Sequence, residues 1–129
     1  MSEEHKQQYG GIALVYEGDN DKEIMLCLRA PDMEHYASHW SIPSGYHEEG
    51  ETTKETAIRE LKEETMIDIP SCEYVGTLHE TFHVYKYVTA TKLKPILDRE
   101  HTSWDYFKKD ELPIVIEGEL KNLIKSKIL

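Results

Sequence analysis

Three carboxylates and one guanidinium set the chemistry this chain could perform. Arg59-Glu60-Leu61-Lys62-Glu63-Glu64 places Glu60, Glu63 and Glu64 at i, i+3 and i+4, neighbours on a helix surface. Like charges at that spacing oppose helix formation by a few tenths of a kcal/mol per pair, so the cluster requires a compensating cation. A hard divalent metal with oxygen ligands meets that need. Taking Ala57 as zero and about 100° per residue, Leu61 lies near +40° and Ile58 near +100°. Glu64 then falls near −20°, Glu60 near −60° and Glu63 near −120°, at the same step of about 100°. Glu64 thus points towards the core, where a carboxylate is costly unless it is paired or bound to a metal. The alternative is a solvated, glutamate-rich helix face.

The elements that must hold these groups follow from patterning. Residues 1–8 are polar, with frayed chain expected. Tyr9 to Glu17 and Glu23 to Arg29 are apolar runs separated by Gly18-Asp19-Asn20-Asp21, which reads as a β-hairpin. Residues 30–39 form a polar loop able to border a site. Trp40 to Gly45 is a short extended piece broken at Pro43-Ser44-Gly45. A helix is expected from Thr52 or Thr53 to Thr65, with a capping box from Thr52 to Glu55. Ile69-Pro70 forces extended chain. Tyr74–Leu78, Phe82–Thr91 and Thr102–Phe107 carry strand composition. Leu93 to Arg99 connects the last two, Leu112-Pro113 marks a turn, and Glu117–Leu129 is amphipathic at helical spacing. Strands and helices interleave, so the class is α/β or α+β with a mixed sheet, in one domain over residues 1–129.

Composition narrows the partners. The chain of 129 residues carries a formal net charge of −10, with 39% hydrophobic and 31% charged residues. This is a globular composition without the clustered Lys/Arg footprint of a nucleic-acid surface. No apolar run is long enough to span a membrane and no signal pattern opens the chain. Cys27 and Cys72 have no metal or redox spacing, so a reduced, cytoplasmic setting is expected.

Gly45, Glu51 and the Arg59–Glu64 run lie at the spacings of the Nudix box, and residues 45–67 match its specified positions except one. The glycine expected before the final aliphatic residue is Met66. Trp40-Ser41-Ile42-Pro43-Ser44-Gly45 resembles the family's usual lead-in, and Glu100-His101, Trp104 and Glu111-Leu112-Pro113 resemble its C-terminal segment. The chain therefore resembles the Nudix hydrolases over most of residues 9–125.

That resemblance implies an α/β/α sandwich around a mixed β-sheet and hydrolysis of a nucleoside diphosphate linked to another moiety. It implies Mg²⁺ or Mn²⁺ held by Glu60, Glu63 and Glu64, with the Ser44 carbonyl and Glu100 as further ligands. Arg59 would orient the glutamates and pair with Glu51. Either Glu60 or Glu100 would take the proton from the attacking water, with Glu60 ranked first. Arg29, Trp40, Tyr46 and Tyr85 are the candidate substrate-binding residues. Tyr85 stands 18 residues after the box, where some dinucleoside polyphosphate hydrolases of the family carry a tyrosine. Nucleoside triphosphate, dinucleoside polyphosphate and nucleotide-sugar substrates remain open, as does a monomeric or homodimeric state.

Met66 stands where glycine would suit a left-handed helix end, so a different or strained exit is expected. Two rival functions deserve weighing. A silent nucleotide-binding module on the same fold would usually have lost a box glutamate, and this chain keeps all three. His79-Glu80-Thr81-Phe82-His83 spells the zinc-protease motif, but that chemistry needs a helix. The surrounding Val, Thr and Tyr residues indicate strand and turn.

Overall fold

The computed structural model describes residues 6–129, and the fraying expected of residues 1–5 lies outside them. Lys6–Gln8 precede the first strand, and the Gln8 carbonyl accepts the His47 amide at 2.9 Å. Seven strands form one sheet: β1 (Tyr9–Glu17), β2 (Lys22–Arg29), β3 (Trp40–Ser41), β4 (Ser44–Tyr46), β5 (Glu73–Leu78), β6 (Phe82–Thr89) and β7 (His101–Lys108). The helices are α1 (Thr53–Thr65) and α2 (Gly118–Leu123), the latter continued by π-helical turns over Ile124–Ile128. β1 and β6 are parallel and every other pairing is antiparallel, so the sheet is mixed.

β1 is the centre, and its sequence explains why. Gly10 to Val15 are all buried, as a strand covered on both faces requires. Ile12 and Leu14 pack with Ala57 and Leu61 beneath α1. Ala13 and Val15 pack on the opposite face with Leu120, Ile124 and Ile128. The result is the α/β/α sandwich, with one helix layer on each face of the sheet.

A split in this sheet positions the site. β2 pairs with β1 only at Ile24 and below, against Val15 to Glu17. β4 pairs with the other end of β1, at Tyr9 to Gly11. β3 meets β2 at Cys27 and Leu28. The Trp40–Tyr46 stretch is therefore wedged where β1 and β2 diverge, held by the Ile12 amide donating to the Pro43 carbonyl at 3.0 Å. It carries Ser44 and Gly45 across the top of α1.

α1 begins as its sequence requires. Thr52 Oγ1 accepts the Glu55 amide and the Glu55 carboxylate accepts the Thr52 amide, a complete capping box. It ends on Met66 at φ 63°, the left-handed conformation that glycine would take without strain. The expected strain is thus present, and the exit is the ordinary left-handed one. Met66 is 65% exposed and gains little from packing there. Met66→Gly removes a left-handed strain of roughly 1–2 kcal/mol. Glycine's extra freedom in the unfolded chain offsets about 0.5–1 kcal/mol of it. The variant should melt a few degrees higher in a thermal scan, by about 0.5–1 kcal/mol, and a lower midpoint would refute the strain.

Beyond α1, the Ile96 amide donates to the Thr65 carbonyl at 2.9 Å and the Asp98 amide to the Glu64 carbonyl at 3.1 Å. The 93–99 connection thus caps the open carbonyls of α1. That contact brings Asp98, Glu100 and His101 to the acidic end of the helix.

Candidate active site

The helical count is realised in the side chains. Glu64 is 2% exposed, Glu60 13% and Glu63 56%, the order their angles set. Glu64 Oε1 accepts the Ser44 amide at 3.2 Å. Its Oε2 is buried without a hydrogen-bond partner. Burial pushes the Glu64 carboxyl far above the usual range, reinforced by the Glu60 carboxyl against it and by the charges of Glu100 and Asp98. The Glu100 carboxyl is also raised, by burial and by Asp98 and Glu60, with Arg29 acting in the opposite sense. Glu60, Glu100 and Asp98 therefore lie close enough to Glu64 for their charges to act on it.

Gly45 is dictated by this meeting. A Cβ there would lie 2.2 Å from Glu60 Cδ and 2.4 Å from both carboxylate oxygens, so the Glu60 carboxylate occupies the space a side chain would need.

Arg59 makes the pair with Glu51 that the resemblance implied. Its Nε and Nη2 donate to the two oxygens of Glu51 at 3.1 and 2.8 Å, a bidentate pair. Nη1 reaches Glu60 Oε1 at 2.9 Å and Glu63 Oε2 at 3.2 Å, and Nη2 also donates to the Tyr46 carbonyl at 2.9 Å. The guanidinium holds the Glu51 carboxyl down to about 2.

Among the described residues no three side chains form a ready-made cation cage. Glu63 is turned outward onto Arg59, and Arg59 shares Glu60. The donor set nonetheless fits a hard divalent cation: all oxygen, strongly anionic, with one buried carboxylate oxygen unpartnered. The Ser44 amide donates to the Glu64 carboxylate at 3.2 Å, which brings the loop whose Ser44 carbonyl is the expected further ligand up to the acids.

On the α2 face of the sheet lies an apolar slot lined by Tyr36, His39, Trp40, Leu78, Phe82 and Leu120. A Cβ added at Gly11 would be 2.9 Å from both Phe82 Cε1 and Ser44 Cβ. The Ser44 side chain therefore stands near Phe82, one of the residues lining the slot, while its amide holds Glu64.

The candidate substrate residues divide. Trp40 lines the slot, packed edge-on to Phe107 with ring centroids 5.1 Å apart. Tyr46 is 51% exposed, its ring 5.2 Å from that of Tyr9. Arg29 Nε donates to the His35 carbonyl at 3.0 Å, tying the 30–39 loop down near Glu100. Tyr85 requires correction. It is 9% exposed, packed in the core beneath α1, with its hydroxyl 2.7 Å from Thr53 Oγ1. Its register partner on β1 is Ile12, so it shares that residue's buried face and cannot stack on a base.

The zinc-protease reading is excluded by backbone. His79 and Glu80 form the β5–β6 turn at φ 50° and 64°, and His83 lies on β6. His79 pairs with Glu117 and Glu119, whereas His83 meets Thr77 and Gln8. Asp98 and Phe82, which the sequence did not single out, also stand at the acids and at the slot, and His101 is buried between Asp98 and Glu64. The Asp98-to-His101 interval of three residues, closing a turn, was the available signal.

Comparison with known proteins agrees with this fold. The sequence model of the NUDIX domain matches residues 7–126. A Caenorhabditis elegans protein bearing a nudix hydrolase name is 29% identical over 106 residues, 78% of this chain and 28% of its own length. The 8-oxo-dGTP diphosphatase of Proteus vulgaris is 31% identical over 64 residues, 50% of this chain and 56% of that protein. The chain thus covers less than two thirds of both curated relatives. The crystal structure of a MutT NUDIX hydrolase from Burkholderia pseudomallei superposes with a TM-score of 0.75 at 20% identity, covering 95% of this chain and 98% of that one.

Proposed function

The chain belongs to the NUDIX family, and from that premise we propose that it hydrolyses a pyrophosphate bond in a nucleoside diphosphate-linked substrate with Mg²⁺ or Mn²⁺. The observation that carries this reading is the buried carboxylate of Glu64, crowded by Glu60 and Glu100 and left with an unpartnered oxygen. Glu60, Glu64 and Glu100 would hold the metal, with Glu63 joining by turning away from Arg59. When bound, the metal neutralises diphosphate charge, polarises the attacked phosphorus and lowers the pKa of water.

The chain's own residues supply position and proton transfer. Arg59 fixes Glu60 through Oε1, leaving Oε2 to receive the proton of the attacking water. Glu100 is the second candidate for that proton, its raised carboxyl bringing it nearer to neutral pH. The aromatic slot would take the nucleobase against Trp40 and Phe82, with the phosphates running past Ser44 to the acids. The Proteus vulgaris relative acts, by its name, on 8-oxo-dGTP, which makes a nucleoside triphosphate the first substrate to try. Dinucleoside polyphosphates and nucleotide sugars follow; removal of Tyr85 from the surface takes away the one residue that favoured the former.

The test is a nucleotide panel assayed with Mg²⁺ and with Mn²⁺, comparing the parent chain with Glu60→Gln. Turnover of at least one nucleotide is expected, abolished by chelator and reduced about 10²–10⁴-fold in the variant, the range for losing a positioned base. Undiminished turnover by Glu60→Gln would refute the assignment. A chain that binds nucleotide but releases no phosphate with either metal would be the silent binding module instead.

A further inference from the structure

Three aromatic rings stand in a row across the α2 face of the sheet. Tyr46 on β4 is the register partner of Tyr9 on β1, and Tyr9 is that of Phe82 on β6. Ring centroids are 5.2 Å apart for Tyr46 and Tyr9, and 6.5 Å apart for Tyr9 and Phe82. Strand alternation fixes the face. A Cβ on Gly10 would strike the Thr53 carbonyl of α1, so Gly10 looks towards α1 and Tyr9 looks away. In the same way Gly45 looks onto Glu60, while Ser44 and Tyr46 look to the other face.

Phe82 packs against the core under α2, but Tyr9 and Tyr46 belong to neither core cluster. Tyr46 is half exposed. A single exposed ring needs no explanation; two in contact, continuing a row that ends in the slot, do. A tyrosine pairs a broad apolar face with a polar tip, a form suited to a planar partner at a wet surface. The pair is also held in place. β4 is bonded to β1, and Arg59 Nη2 donates to the Tyr46 carbonyl at 2.9 Å. The same guanidinium grips Glu51 and Glu60. Adjacent Cα atoms are about 3.8 Å apart, so Tyr46 lies one residue from the glycine that makes room for the Glu60 carboxylate. From the 30–39 loop, Glu34 stands near enough for its charge to act on the Tyr9 hydroxyl. That charge repels a phosphate and accepts the N–H groups of a base.

We propose that Tyr46 and Tyr9 form a second stacking station, which takes the distal base of a dinucleoside polyphosphate whose other base lies in the slot. This rests on the reading of the acids as a pyrophosphate-hydrolysing site and names its substrate class. The phosphate chain passes Ser44 and Gly45 between the two stations. A substrate with one base fills one station and leaves the other idle. Tyr85, enclosed beneath α1, cannot offer this surface; Tyr46 and Tyr9 can.

The test compares kcat/KM for diadenosine tetraphosphate and adenosine tetraphosphate with Mg²⁺, two compounds with equal phosphate counts that differ by one nucleoside. The parent should favour the two-base compound. Tyr46→Ala should lower its kcat/KM about 5–150-fold, the range for losing one base–aromatic stack, and leave the one-base compound unchanged. Tyr46→Phe keeps the ring and should match the parent on both. Tyr9→Leu removes the neighbouring ring and should shift the ratio in the same direction, an independent reading should Tyr46→Ala not fold. Equal losses on both compounds overturn the proposal, as does an unchanged ratio in Tyr46→Ala or Tyr9→Leu, or a Tyr46→Phe variant as weak as Tyr46→Ala. A parent that prefers the one-base compound overturns the second station and leaves the hydrolase reading standing. Turnover of neither compound, nor of any nucleotide in the panel, brings down the hydrolase reading and this inference with it.

Discussion

Glu64→Gln should be more stable than the parent chain without divalent cations, yet lose roughly 10³-fold in kcat/KM when they are supplied, about 4 kcal/mol of transition-state stabilisation. The two effects share one cause. In the metal-free fold this carboxylate is buried among Glu60, Glu100 and Asp98, which raises its pKa far above that of the unfolded chain. A raised acid contributes its full share of stability below the unfolded value and loses it as pH climbs towards the folded one. From about pH 5 upward the parent therefore carries a growing penalty, roughly 1–3 kcal/mol by neutral pH. Glutamine, nearly isosteric and uncharged, does not carry it. Urea melts in chelator at pH 5 and pH 8 measure this, with the gap between variant and parent widening at the higher pH. A cation supplies the missing charge to Glu64 and has little to bind in the glutamine variant, so saturating Mg²⁺ should reverse the order of stability. Equal stability at both pH values would mean that Glu64 is not desolvated as its surroundings indicate.

This coupling of strain to function explains why the centre of the site could be read from sequence and its surroundings could not. The three glutamates, Arg59 and Glu51 lie within one helix and its lead-in, where the helical period converts sequence spacing directly into direction. Glu64, Glu60 and Glu63 are exposed in the order that their angles gave. Met66 follows equally from local reasoning, because helix ends obey local rules. Tyr85 does not. Alternation shows that Tyr85 and Tyr87 share one face of β6, but only the parallel register with β1, Tyr85 against Ile12, fixes that face as the one beneath α1. Asp98 and His101 were hidden for the same reason: they reach Glu64 through the turn that caps α1, more than thirty residues along the chain. The slot is a still more distant assembly, in which Trp40, Phe82 and Leu120 come from three elements.

Arg59→Met should cost about 3–5 kcal/mol of folding free energy, more than any loss of a surface ion pair. Arg59 is 25% exposed, Glu51 16% and Glu60 13%. Removing the guanidinium therefore strands two largely buried carboxylates, along with the Tyr46 carbonyl it holds. Methionine keeps the aliphatic length, so lost charge rather than lost volume is what the variant reports. Arg59→Lys should recover only part, because one ammonium cannot reproduce the bidentate fork on Glu51. Adding Glu51→Gln to Arg59→Met should restore stability beyond the sum of the single effects, since the stranded charge is then gone. Acid supplies an independent check. The Glu51 carboxyl is held down to about 2 in the fold, so its pairing contributes stability above the unfolded value near pH 4.5. That contribution fades as pH falls towards 2, and the gap between parent and Arg59→Met should narrow over the same window. A loss below about 1 kcal/mol at neutral pH is the range of exposed ion pairs. It would show that solvent screens the Arg59 network and that the box glutamates are held in place by the helix alone.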